Sequence, residues 1–425
     1  MIEDSVTFIC ILAIFNLVRM MLYLVGSDVY SYKNLKRKSQ KKHSFRPTVS
    51  LVVPCHNEEG LIGTTLDCLS RIDYPRNKLQ VIIADDGSTD STLKIVKSFI
   101  RKNKAGVQME VYSQKNNHGK AEALNNAMKR RATGSLIMCL DADSLIAADG
   151  IKKAVEYFRD RNAVAMASNV NIIENGTIIG LAQRIEYLIS YHMKKAQTIY
   201  NIEYIIGGIG SMFRRSILEK VSYYDTNTMT EDIDLTMKII SLGNKKNRVV
   251  YAADCITFSE AVPSFKSLIK QRYRWKYGRL QTFIKNYHLF FSTDKRYTKA
   301  LSWFILPYAI IQELLFILEP LVVTLVIGSA IYFKQPRIIL FAIAIISSYI
   351  WVNIWSTVHL SIKERARLSI FAPAMYVILY TLSVVEYIAL IQTIIRIPFI
   401  KDSISNKKTS WVSPERSGTA KEALI

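Results

Sequence analysis

Residues 5–25 (SVTFICILAIFNLVRMMLYLV) form an apolar run long enough to cross a bilayer as a helix. Acidic Glu3 and Asp4 precede it, where a cleaved leader would carry basic residues, so an uncleaved anchor is expected. Asn16 and Arg19 are costly in lipid and should face other helices. From Thr48 the pattern changes. Short apolar runs at 49–53, 79–84, 109–112 and 136–140 read as strands, the first stopped by Pro54. Helical stretches separate them: one to about Ile72, one from about Asp90, and 120–131. Continuous apolar strands alternating with helices predict a parallel sheet covered on both faces, with ligands at the carboxyl ends of its strands. PCHNEE, DDGSTD and DADS stand at three of those ends.

Residues 262–291 mix aromatic and basic side chains and suit a helix at a membrane interface. Three apolar segments follow, at 301–331, 338–360 and 370–396, joined by loops with Lys334 and Arg337, then Lys363, Arg365 and Arg367. The expected division is an anchor (1–30), a basic cytoplasmic linker (31–47), a cytoplasmic catalytic domain (48–258), interfacial helices (259–298), a transmembrane region (299–398) and a polar tail (399–425). Positive residues favour the cytoplasmic side, which leaves the N-terminus outside. Three clean spans would then put Arg396, Lys401, Lys407 and Lys408 outside, against the same rule. The 301–331 segment is also too long for a ~30 Å core and holds Pro307, Glu313, Glu319 and Pro320. One C-terminal segment is therefore expected to be interfacial or re-entrant.

The chain has 425 residues, half of them hydrophobic, and a formal charge of +21. That charge crowds beside apolar runs, as at Lys33, Lys36, Arg37, Lys38, Lys41 and Lys42, which fits anionic lipid. No zinc-finger spacing or helix-turn-helix supports nucleic acid. The five cysteines are scattered without a paired motif and read as small buried hydrophobes in a reducing compartment.

Thr230-Glu231-Asp232 opens a helical stretch in MTEDIDLTMKI. It can be a capped helix start with favourable carboxylates, or a catalytic base at Asp232. Asp141-Ala142-Asp143 can be an acidic turn, or a hard-oxygen grip on a divalent cation carrying a diphosphate. Asp85 and Asp86 can cap the next helix or accept hydrogen bonds from a base or ribose. Lys120 begins a helix, where a cation is disfavoured unless it neutralises phosphate. Gln271, Arg274 and Trp275 share a helix face. They can anchor that helix at the interface, or offer Arg274 to a leaving phosphate and Trp275 to a sugar ring.

VPCHNEE, DDGSTD, HGKAEALN, DADS, TEDID and QRYRW, in this order over about residues 48–280, resemble the signatures of the processive membrane-embedded family 2 glycosyltransferases. The chain looks closest to poly-β-1,6-N-acetylglucosamine synthases, with chitin-oligosaccharide and hyaluronan synthases as near neighbours. The tail motif from Ser410 to Arg416 is similar too, whereas KYGR after QRYRW stands where those synthases read AQGG. The resemblance implies a GT-A type α/β fold, a mixed sheet with helices on both faces, joined to an α-helical transmembrane region. It assigns Pro54, Asn57, Glu58, Asp85, Asp86, Lys120, Asp141, Gln271 and Arg274 to the nucleotide sugar, and Asp141 and Asp143 to Mg²⁺ or Mn²⁺. It assigns Gly207, Gly208 and Trp275 to the acceptor, and Asp232, Glu231 and Arg274 to catalysis. The implied partners are a UDP-sugar, UDP-N-acetylglucosamine by this likeness, a growing polysaccharide, lipids, and an accessory membrane subunit. The implied place is the cell membrane. Two alternatives stand beside this reading. A polyprenyl-phosphate monosaccharide transferase usually lacks Q-x-x-R-W, which is present here. A non-catalytic scaffold predicts eroded acidic motifs, and Asp141, Asp143, Asp232 and Arg274 are all intact.

Overall fold

The computed structural model describes residues 2–39, 45–103 and 106–405. The side chains of Cys10, Asn16 and Glu319, and the tail motif at 410–416, lie outside that description. Helix α1 (Ile2–Ser39) contains the 5–25 run and continues through much of the expected linker. Its second half is docked, which is why the linker is helical. The Tyr30 hydroxyl donates to the Tyr251 carbonyl at 2.7 Å and meets the Tyr157 hydroxyl at 2.7 Å. Arg37 lies 3.7 Å above the Tyr157 ring, so this cation serves packing as well as charge.

The central sheet has eight strands in the order β3-β2-β1-β4-β7-β6-β8-β5. These are β1 (Val49–Cys55), β2 (Leu79–Asp85), β3 (Gln108–Ser113), β4 (Leu136–Cys139), β5 (Ser144–Ile146), β6 (Ala163–Ile173), β7 (Ser211–Arg214) and β8 (Arg248–Glu260). The first four strands form the expected parallel half. β7 runs antiparallel between β4 and β6, β6 pairs parallel with β8, and β5 closes the edge antiparallel to β8. The sheet is therefore mixed. β1, β2 and β4 are buried along their whole length, as apolar runs between helical layers should be.

Pro54 does not stop β1: it pairs in register with Ala84. The β4 ladder has already ended at Val52, whose carbonyl accepts from Leu140 N. Pro54, two residues on, faces that same vacated side, so its missing N–H leaves no bond unmade.

Helices α2 (Ile62–Ser70), α3 (Thr92–Lys102) and α4 (Lys120–Arg131) connect the parallel strands. Then come α5 (Gly150–Ala154), α6 (Ile178–Tyr200), α7 (Arg215–Lys220), α8 (Glu231–Ser241) and α9 (Phe265–Lys285). Of the predicted interfacial stretch 259–298, only α9 is a long helix. The C-terminal region holds α10 (Leu306–Ile317), α11 (Glu319–Tyr332), α12 (Arg337–Ser356), α13 (Ile362–Phe371), α14 (Met375–Arg396) and α15 (Ile400–Ser405).

The overlong 301–331 segment is two helices, parted at Leu318 beside Glu319-Pro320. Proline brings no N–H to continue the ladder and its ring crowds the preceding turn. The expected loop at 361–369 is instead helical: α13 runs through it, started by a capping box of Ser361 and Glu364. Arg367 pairs with Glu174 at 2.6 Å and Glu364 with Arg184 at 2.6 Å, so these charges tie α13 to the α/β domain. Among the described residues three helical stretches are long and apolar enough to cross a membrane: Ala300–Ile317, Ile339–Ser356 and Tyr380–Ser405.

Candidate active site

The loops after β1 and β2 are sewn to each other. The Asn57 side-chain oxygen accepts from Thr89 N at 2.8 Å, and Asn57 N donates to Ser88 Oγ at 3.0 Å. Asn57 takes φ 55°, a left-handed conformation that asparagine tolerates well. Glu58 N donates to Thr92 Oγ1 at 2.7 Å, and Glu59 N to Asp90 at 3.2 Å. Asp85 and Asp86 are buried beneath this seam. Asp85 accepts from Ser88 N at 3.2 Å and from the Ser113 hydroxyl at 2.7 Å. Asp86 does not cap α3. It accepts from Gln114 Nε2, His118 N and Gly119 N at 2.8–2.9 Å, clasping the loop that delivers Lys120.

Lys120, the first residue of α4, is where the separate motifs meet. Its Nζ lies 2.7 Å from Asp141 Oδ1 at the end of β4 and 3.3 Å from Glu231 Oε1 at the start of α8. Two carboxylates therefore compensate the cation at its unfavourable helix position. Burial opposes its charge, but Asp141 and Glu231 outweigh burial and hold its pKa above the ordinary lysine range. Gly208 presses on this pair: a Cβ there would stand 3.0 Å from Lys120 Nζ and 3.8 Å from both Asp141 oxygens. Gly207 beside it is open to solvent, with nothing within 4 Å of where its Cβ would stand.

Asp143 is more enclosed than Asp141 and accepts from the Ser144 hydroxyl at 3.2 Å. Among the described residues no three His, Cys, Asp or Glu side chains converge as a preformed metal cage. Two strand-end carboxylates still suit Mg²⁺ or Mn²⁺, which is commonly held by one or two carboxylates and completed by phosphate and water.

α8 brings Glu231 and Asp232 to Lys120. Thr230 occupies its N-cap position, but the expected side-chain cap is not made. The Thr230 hydroxyl is buried without a hydrogen-bond partner among the described residues and faces Gly278 of α9, which occupies the space around it. Asp232 Oδ1 instead accepts from Ile233 N at 2.8 Å. Burial first, then the charge of Glu231, lifts its carboxyl to about 6. Lys120 and Arg274 pull the other way, which puts both cations within electrostatic reach of Asp232.

α9 crosses the start of α8 with two different faces. Gln271, Arg274 and Trp275 lie on one side, Arg274 exposed and Gln271 accepting from Gln183 at 3.3 Å. Further along, Gln281 accepts from Met229 N at 2.9 Å, and Lys285 pairs with buried Asp234 at 2.6 Å and with Asp225 at 2.7 Å. Arg272, also on α9, is buried. From the sequence, the intramembrane acids Glu313, Glu319 and Glu386 can line a path for a hydroxyl-rich chain or pair with Arg19 or each other; Glu313 and Glu386 pair with α9. Lys276 lies 2.8 Å from Glu313 and 2.9 Å from Glu386, and Arg279 also binds Glu313. The sequence showed these partners only as unpaired charges on separate segments, since their pairing depends on how α10 and α14 pack.

If the ionised form of Asp232 serves as a proton acceptor, kcat/KM is expected to rise tenfold per pH unit up to about pH 6 and then level off. Lys120 stays protonated through that range. A rate already flat at pH 4.5, in a pH-jump assay that keeps the protein folded, would rule out this group as the titrating base.

Residues 50–222 match the family described as Glycosyl transferase family 2. A poly-beta-1,6-N-acetyl-D-glucosamine synthase of Staphylococcus epidermidis is 30% identical over 359 residues, spanning 81% of this chain and 82% of that protein. One from Staphylococcus aureus (strain MSSA476) is 29% identical over 324 residues, 74% of each. Among solved structures, the mannosyltransferase PcManGT from Pyrobaculum calidifontis, in complex with GDP-Man and Mn²⁺, aligns with a TM-score of 0.54 at 21% identity. It covers 89% of this chain and 96% of that one, a likeness of fold. The clustering of its signatures around Lys120 thus has its counterpart in descent: the chain belongs to glycosyltransferase family 2 and is similar along most of its length to poly-β-1,6-N-acetyl-D-glucosamine synthases.

Proposed function

We propose that the protein is a membrane-embedded, inverting, processive glycosyltransferase that uses UDP-N-acetylglucosamine to extend a β-linked polysaccharide. Its catalytic domain faces the cytoplasm and its membrane region passes the product outward. The observation that carries this reading is the meeting at Lys120 of Asp141, from the donor end of the sheet, with Glu231, next to the candidate base.

Asp232 takes the proton of the acceptor hydroxyl, whose oxygen forms a bond to the anomeric carbon. The bond from that carbon to the diphosphate breaks on the opposite face, and its electron pair leaves with UDP. One displacement inverts the anomeric centre, so an α-linked donor yields a β-linkage. Lys120 and Arg274 stabilise charge on the departing diphosphate. Asp141 and Asp143 would hold Mg²⁺ or Mn²⁺, which when bound adds Lewis-acid stabilisation of that same charge. The seam of Pro54, Asn57 and Glu58 over Asp85 and Asp86 receives the nucleotide, Gly207-Gly208 the acceptor, and Trp275 stacks on its terminal sugar.

The test is to incubate purified protein with radiolabelled UDP-sugars and Mg²⁺ and to size the product. A polymer supports the reading, whereas a single sugar on a lipid, or no product, defeats it. Proteoliposomes of known orientation, followed by a polymer-degrading enzyme, report export: polymer fully accessible on the catalytic side means synthesis without it. Chelation by EDTA should abolish transfer, and Asp143→Ala should weaken UDP binding only when the divalent ion is supplied. Unchanged wild-type activity in EDTA would remove the metal role.

A further inference from the structure

α9 carries a second polar stripe beside the face that bears Gln271, Arg274 and Trp275. Arg272, Lys276 and Arg279 stand at i, i+4 and i+7, so they point together, away from Gln271, Arg274 and Gly278. Their partners come from three other helices: Glu186 of α6, Glu313 of α10 and Glu386 of α14. The result is a continuous ladder, Glu186–Arg272–Glu386–Lys276–Glu313–Arg279.

Arg272 is the rung that touches both faces. It is 6% exposed, with Nη2 at 2.5 Å from Glu186 Oε2 and Nε at 3.1 Å from Glu386 Oε1. Its guanidinium carbon also lies 4.6 Å from the centroid of the Trp275 ring. A guanidinium is planar: it can meet carboxylates along its edges while its face covers an indole, which an ammonium cannot do. The two acids fix the plane of Arg272, and that plane fixes the indole.

We propose that Arg272 is a positioning residue for Trp275, clamping the ring in the orientation that receives the acceptor sugar and tying it through Glu386 to membrane helix α14. This rests on the reading of Trp275 as the acceptor platform, and the experiment separates the two. Removing Arg272 strands no acid, because Glu386 keeps Lys276 at 2.9 Å and the Glu186 side chain is 38% exposed.

The full chain in nanodiscs, fed UDP-N-acetylglucosamine, is assayed for product length and for donor KM by UDP release. Trp275→Ala, Arg272→Met, Arg272→Lys and the double variant Arg272→Met/Trp275→Ala are compared with wild type. Arg272→Met should shorten the chains about tenfold, the worth of a desolvated cation–π contact. Donor KM should stay within about twofold, as befits loss of an acceptor contact. Arg272→Lys keeps the charge but not the flat face, so it should shorten chains as well. The double variant should be no worse than Trp275→Ala alone, since both act through one ring. Wild-type lengths in Arg272→Lys, additive losses in the double variant, or a donor KM that rises with the shortening would each overturn the proposal. Arg272→Lys alone decides it if Arg272→Met does not fold. Full-length chains from Trp275→Ala would overturn the platform reading itself, and the clamp with it.

Discussion

Asp232→Asn should lower sugar transfer by about 10²–10⁴, the usual cost of losing a general base, while UDP binding stays within a few-fold. The substitution keeps size and the hydrogen bond from Ile233 N, and removes the proposed proton acceptor. Glu231→Gln provides the contrast. Glu231 lies 3.3 Å from Lys120, the residue assigned to phosphate, so its loss should appear mainly in donor KM. The separation between the two variants is the informative result. Transfer by Asp232→Asn above about a hundredth of wild type would remove Asp232 from the role of base. Equal losses of kcat in both variants would mean that the two carboxylates act as a unit.

The donor half of the site was legible in the sequence because its strands are short, apolar and buried on both faces. That pattern puts PCHNEE, DDGSTD and DADS at strand ends without any knowledge of tertiary contacts. Helix α4 begins and ends where its periodicity predicts, at Lys120 and Arg131. Strands β5 to β8 were not legible. β7 has four residues, and β8 interrupts its apolar run with Asp254, Thr257 and Ser259 where it bends around the sheet. The roles of charged residues were read least well, because a charge on a one-dimensional chain shows no partner. Lys120 looked like a phosphate ligand alone and is also a carboxylate bridge. Thr230 looked like a cap and is a packing surface for Gly278. Arg272 carried no signal of its own in the sequence and is a buried rung between three helices.

That packing surface leads to the second large effect. Gly278→Ala should reduce transfer by about 10² or more, although it adds one methyl group and touches neither donor nor acceptor. A Cβ at position 278 would stand 2.6 Å from both Thr230 Cγ2 and Oγ1, and 2.9 Å from Thr230 N. Real contacts are never that close, so α9 and the start of α8 must move apart. Rotating Thr230 offers little relief, since its β-branched side chain has few rotamers and the third clash is with backbone. Asp232 lies two residues beyond Thr230, and Trp275 and Arg274 lie three and four residues before Gly278. The methyl group therefore wedges Asp232, the proposed proton acceptor, away from the residues proposed to meet the acceptor sugar and the diphosphate. Misplacement by about 1 Å is enough for a loss of this size. The protein should still fold, because Lys285 with Asp234 and Lys276 with Glu313 and Glu386 continue to hold α9. Thr230→Ser removes the methyl from the other side of the contact and should restore part of the activity in the double variant. An active Gly278→Ala protein, or one whose defect Thr230→Ser does not relieve, would show that this crossing does not set the geometry of catalysis.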